Sequence, residues 1–97
     1  CGQVPFHPVT GEVVGNGMKE QAVQTLANMK AVLEAAGLTV TDIAKTTVFV
    51  TNMDDFAAFN EVYAAFMGEH RPARVCVEVS NIAHGCLLEM DAICFKE

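Results

Sequence analysis

Basic residues are scarce. Lys and Arg together number 6 of the 97 residues against 12 Asp and Glu, for a formal charge of −6. No basic stripe is visible, which disfavours a phosphate backbone and so a nucleic-acid partner. Long apolar runs are missing too: no stretch approaches the roughly 18 apolar residues of a membrane span, so no membrane partner is expected. No basic segment followed by an apolar stretch and a cleavage site opens the chain, so no secretion signal is expected. The four cysteines, Cys1, Cys76, Cys86 and Cys94, form no C-x-x-C pair and match no zinc or haem spacing. Reduced thiols in a cytoplasmic protein are therefore expected. G-x-x-x-x-G-K-S/T, H-E-x-x-H and G-x-S-x-G are all absent.

What is present is apolar. Hydrophobic residues make up 52% and charged residues 19%, which excludes disorder. The length allows one domain, expected over residues 1–97. A domain this small buries only about 60–65% of the surface its unfolded chain exposes. Some apolar side chains must then find cover on another copy, a first sign of oligomerisation.

The first 17 residues are rich in turn formers, including Pro5, Pro8, Gly11 and Gly15-Asn16-Gly17. Ala22, Leu26, Met29, Leu33 and Ala36 then repeat at helical spacing and predict a helix over 18–36, capped by Asn16 or Gly17 and stopped by Gly37. Residues 43–50 read as a strand through Thr46-Thr47-Val48-Phe49-Val50. A second helix is expected from Asp54 or Asp55 to about residue 68, with Phe56, Phe59, Tyr63 and Phe66 as its buried stripe. Residues 74–79 and 86–95 alternate as strands. Two helices can cover one face of such a sheet, and the alternation is read here with Arg74, Glu78, Glu89 and Asp91 on the other.

That set of one Arg and three acids has two readings. It can be an ion pair that keeps the face soluble. It can also be a carboxylate-binding Arg beside a Glu that handles a proton or a water, since the planar guanidinium matches a carboxylate bidentately. His7, His70 and His84 are scattered and read as turn or surface histidines, so no metal is expected. Gly15-Asn16-Gly17 reads as a plain turn.

Pro72-Ala73-Arg74-Val75-Cys76-Val77-Glu78-Val79, followed by Leu88-Glu89-Met90-Asp91-Ala92, resembles the C-terminal signature of the Rid family. These are the reactive intermediate deaminases, also called the YjgF or endoribonuclease L-PSP family. Gly2-Gln3-Val4-Pro5, Thr10-Gly11-Glu12, Gln24-Thr25-Leu26, Ala35-Ala36-Gly37-Leu38, Lys45–Val50 and Asn60 with Tyr63 agree with it. The likeness covers essentially the whole chain and points to the 2-iminobutanoate/2-iminopropanoate deaminase subgroup. It implies an α+β, chorismate-mutase-like fold: a mixed sheet with two helices on one face, assembled as a homotrimer with the sheets inward and the sites between subunits. It implies hydrolysis of 2-imino acids, such as those formed from 2-aminoacrylate, to 2-oxo acids and ammonia, without a cofactor. By position, Arg74 is implied as the carboxylate clamp and Glu89 as the acid that positions water. Gly2, Cys1, Cys76 and Asn60 are implied as substrate-binding.

Two departures stand out. Cys1 lies where the family usually has Ser or Thr, and a thiol is the weaker hydrogen-bond donor. The family also has two further strands ahead of this point, so a fragment or a truncated member is expected, with an exposed edge on the 45–50 strand or a neighbour. A non-catalytic carboxylate-binding trimer is the alternative function. A ribonuclease is a third, opposed by the acidic charge.

Overall fold

A computed structural model describes residues 3, 5–7, 9–13 and 15–95. Five elements follow one another: α1 (Met18–Ala35), β1 (Ile43–Val50), α2 (Phe56–Met67), β2 (Ala73–Glu78) and β3 (Leu88–Cys94). Gly17 caps α1 in an extended conformation. Gly37, at φ 77°, ends it by taking the left-handed backbone that side chains with a Cβ resist. Ala36 lies beyond the helix and is exposed, so the apolar row stops at Leu33.

The sheet order is β2-β1-β3, with β1 and β2 parallel and β1 and β3 antiparallel. The parallel pair needs a crossover, and α2 supplies it. Both helices pack on one face. Leu26, Met29 and Leu33 of α1 and Phe59, Tyr63 and Met67 of α2 close over Ile43, Val48, Val50, Leu88 and Met90. The fold is thus the expected mixed sheet with two helices on one side. No described helix is long and apolar enough to cross a membrane.

Two buried polar contacts tie the layers together. Gln21 is 4% exposed; its Nε2 donates to the Gly15 carbonyl at 3.1 Å and its Oε1 accepts from the Leu87 N–H at 2.8 Å. The turn before α1 is thereby fixed to the start of β3. Under α2, the hydroxyls of Thr46 and Tyr63 share a buried hydrogen bond of 2.9 Å. Tyr63→Phe leaves the Thr46 hydroxyl without a partner and is expected to cost about 1–3 kcal/mol of stability in chemical denaturation. Thr25 is the contrasting case. It is fully buried, and among the described residues its hydroxyl has no partner. Thr25→Val removes the unsatisfied group at nearly constant shape and is expected to leave the melting temperature unchanged or raise it.

The arrangement of the last two strands departs from the alternation read above. β2 and β3 do not pair; they flank β1. β1 is therefore central, and the sheet edges fall on its neighbours β2 and β3. On the β3 edge Gln3 pairs with Met90, through N–H···O distances of 2.6 and 2.9 Å. Paired residues share a face. Arg74, Cys76 and Glu78 stand beside Thr46, Val48 and Val50, all three of which are buried beneath the helices. Arg74 and Glu78 are thus on the helix face, not the open one. Glu89 and Asp91 stand beside Phe49 and Thr47 on the open face. The valines of β2 face outward instead: Val75 is 44% and Val77 38% exposed, with Ile93 at 61% on β3. Alternation states which residues travel together; it does not state which set meets the helices.

Candidate functional site

Phe56, Asn60 and Tyr63 recur at i, i+4 and i+7, so α2 presents them along one row above β2. Arg74 lies beneath that row. Its guanidinium carbon is 4.8 Å from the Tyr63 ring centre and 5.2 Å from that of Phe56, within cation–π range. Its Nη1 donates to Asn60 Oδ1 at 2.7 Å. Tyr63 is held in turn by Thr46. Arginine carries five N–H donors, and one of them is engaged by Asn60. Among the described residues no carboxylate comes within ion-pair distance of Arg74. The expectation of an Arg74 ion pair with Glu78, Glu89 or Asp91 is therefore corrected. Glu78 serves the backbone instead. Its Oε1 accepts from the Met53 N–H at 2.8 Å, at the turn that leads into α2.

Arg74 opens onto a cleft of about 510 Å³ walled by Asn60, Tyr63, Ala64, Met67, Arg71 and Pro72. The cleft has the size of a small-molecule site. A braced, uncompensated guanidinium at its wall can hold a carboxylate through two parallel N–H···O bonds. Cys76 follows two residues on, along the same face. Burial pushes its thiol up from the ordinary value, and the Arg74 charge pulls part of the way back. A raised thiol is a poor nucleophile at neutral pH, which leaves Cys76 a role through its backbone or its bulk.

Glu89 is elsewhere. It lines a second cleft of about 260 Å³ on the open face, with Phe49, Val79, Asn81, Ile82 and Ala83. Its carboxylate makes no hydrogen bond or ion pair among the described residues. Within one chain, Arg74 and Glu89 therefore sit on opposite faces of the sheet. Cys1 and Gly2 lie outside the described residues. Among the described residues no three His, Cys, Asp or Glu side chains gather to hold a metal. Sequence reasoning assigned Phe56 and Tyr63 to the core alone. Their second role, beside Arg74, was signalled by Asn60, a polar residue at helical spacing in an aromatic row.

The family profile described as Endoribonuclease L-PSP matches residues 1–96. The chain belongs to that family. Among its relatives, a RutC family protein of Pyrococcus horikoshii is 51% identical over 97 residues, covering 100% of this chain and 77% of that protein. A protein of Escherichia coli named 2-iminobutanoate/2-iminopropanoate deaminase is 49% identical over 98 residues, covering 98% of this chain and 76% of its own length. The fold agrees. A crystal structure of a putative endoribonuclease from Thermotoga maritima superposes with a TM-score of 0.97 at 44% identity, over 100% of this chain and 76% of that one. E. coli TdcF, crystallised with bound serine, gives 0.93 at 44% identity, over 100% of this chain and 78% of that one. The chorismate-mutase-like fold implied by the sequence resemblance is thereby shown, as is membership of the Rid, or L-PSP, family.

Proposed function

We propose that this L-PSP family chain hydrolyses reactive 2-imino acids to 2-oxo acids and ammonia. The observation that carries the reading is Arg74: a guanidinium braced by Asn60 and two aromatic rings, without a carboxylate partner among the described residues, at the wall of a small-molecule cleft. The deaminase name of the E. coli relative supports the reaction class. In it, Arg74 holds the substrate carboxylate and orients the imine carbon toward a water. Glu89 takes a proton as the water adds to that carbon and passes it to the nitrogen; the hydroxyl of the resulting carbinolamine then gives up its proton, again by way of Glu89, to the same nitrogen as the C–N bond breaks, so that ammonia leaves and the carbonyl forms. The step consumes one water and needs no cofactor.

Opposite faces of one sheet cannot serve one substrate, so the reading requires a second copy to bring Glu89 to Arg74. We infer a homotrimer with the open sheet faces inward, in which the β2 edge that carries Arg74 meets the open face of a neighbouring copy; this also covers Val75, Val77, Ile93 and Phe95, all exposed in the single chain. Gly2, Cys1, Cys76 and Asn60 belong to the same site, Asn60 through its hold on Arg74. Cytoplasmic location is part of the reading, and the free thiols of Cys76, Cys86 and Cys94 suit it.

The test is release of 2-oxo acid and ammonia from 2-aminoacrylate generated in place by a pyridoxal-phosphate-dependent dehydratase. Release above the buffer rate is expected. Release at the buffer rate, with 2-oxobutanoate still bound, identifies a carboxylate-binding protein instead, a second reading favoured by the separation of Arg74 and Glu89 within the chain. Sedimentation equilibrium is expected to give three times the mass of one chain, and Val77→Lys to shift it toward the monomer. A wild-type monomer at low micromolar concentration overturns the shared site.

A further inference from the structure

The Arg74 cleft holds a second guanidinium. Arg71 lines it from the loop between α2 and β2. Three positions separate the two arginines, and Pro72 stiffens the connection by fixing its own φ. One side of Arg71 is tied down. Its Nη1 donates to the carbonyls of Gly68 and His70, at the C-terminal end of α2, where the helix dipole favours a cation. Among the described residues Nη2 and Nε have no partner, and the guanidinium presents them to a ligand as a fork.

The electrostatics of the cleft are unusual for this chain. Only 6 of the 97 residues are Lys or Arg, and the net charge is −6. Two of those six cations nevertheless line one cavity, and among the described residues no Asp or Glu lines it with them. Neither arginine has a carboxylate within ion-pair distance among the described residues. Like charges sharing a cavity repel each other, and a ligand with two negative groups relieves that repulsion. A monocarboxylate satisfies Arg74 and leaves Arg71 without an anion.

We propose that Arg71 recognises a second carboxylate, so that the preferred ligands of this cleft are 2-imino and 2-oxo dicarboxylic acids. The proposal rests on the reading of Arg74 as the hook for the first carboxylate, and the two fail separately. The experiment is titration calorimetry of the wild type, Arg71→Gln and Arg74→Lys with 2-oxoglutarate and with 2-oxobutanoate, at low and high salt. The wild type is expected to bind 2-oxoglutarate about tenfold more tightly, with the ratio narrowing as salt screens the partly exposed pair. Arg71→Gln is expected to bring the ratio to about one, with the larger loss falling on 2-oxoglutarate. Arg74→Lys is expected to weaken both ligands. A wild-type ratio of one or less, or an Arg71→Gln variant that keeps the wild-type ratio, overturns the dicarboxylate proposal. An Arg74→Lys variant that binds both ligands as the wild type does overturns the hook itself. Should Arg71→Gln unfold through loss of its carbonyl contacts, Arg71→Lys is read instead. It keeps a donor for Gly68 and His70 but replaces the fork with a point charge, so the ratio is expected to fall severalfold; an unchanged ratio overturns the proposal.

Discussion

Glu89→Gln is expected to lower turnover of 2-imino acids by about 10²-fold, the lower end of what a positioned general base contributes. The lower end applies because the imine already hydrolyses quickly in water. The substitution keeps the size and planarity of the side chain and removes its basicity. Glu89 is half-buried in the open-face cleft, and its carboxylate has no hydrogen bond or ion pair among the described residues. The amide therefore leaves no partner stranded, and the melting temperature is expected to stay at the wild-type value. Binding of 2-oxobutanoate is expected to persist, since the proposed hook is Arg74. Initial rates on 2-aminoacrylate, calorimetric titration with the oxo acid and thermal melts separate the cases. Loss of binding together with a lowered melting temperature marks Glu89 as structural. Unchanged turnover removes it from the chemistry.

Arg74→Lys is expected to cost the carboxylate one or more charge-assisted hydrogen bonds, about 1.5–3 kcal/mol, or roughly ten- to hundredfold in oxo-acid affinity and in kcat/KM. Lysine keeps the charge and can still lie under the Phe56 and Tyr63 rings, so α2 should stay in place. What it lacks is the planar fork that engages Asn60 Oδ1 with one arm and leaves the others for a carboxylate. A simple surface ion pair would lose at most about 1 kcal/mol from such a change, and no such pair surrounds Arg74 among the described residues. Product release from 2-aminoacrylate and oxo-acid titration give the result, with melts as the control for folding. Wild-type activity in the Lys variant removes Arg74 as the hook. Wild-type affinity without turnover moves its role to the chemical step.

Burial raises Cys76, Cys86 and Cys94 above their ordinary values. Beside Cys86 and Cys94, Glu89 and Asp42 push in the same direction. None of the three is set up as a nucleophile at neutral pH.

Local pattern was sufficient for the elements of this chain. Ala22, Leu26, Met29 and Leu33 recur at the helical period, Gly37 stops them, and Thr46 to Val50 are β-branched and aromatic. Each signal acts over a few residues, so the chain itself carries it, and α1, β1 and α2 follow within two residues of the expected bounds. The signature around Arg74 and Glu89 was legible for the same reason. Only the tertiary structure decided the pairing of the strands. With β1 between β2 and β3, Arg74 turns under α2 and Glu89 turns away from it, while Val75 and Val77 face outward. The physical reason is that a strand's alternation has two sides of equal standing. Which side meets the helices depends on register with β1, whose own burial is set by packing against residues tens of positions away. Arg71 was hidden likewise: as one cation in a turn it carries no pattern, and it acquires a role only where the loop after α2 brings it to the cleft that Arg74 also lines.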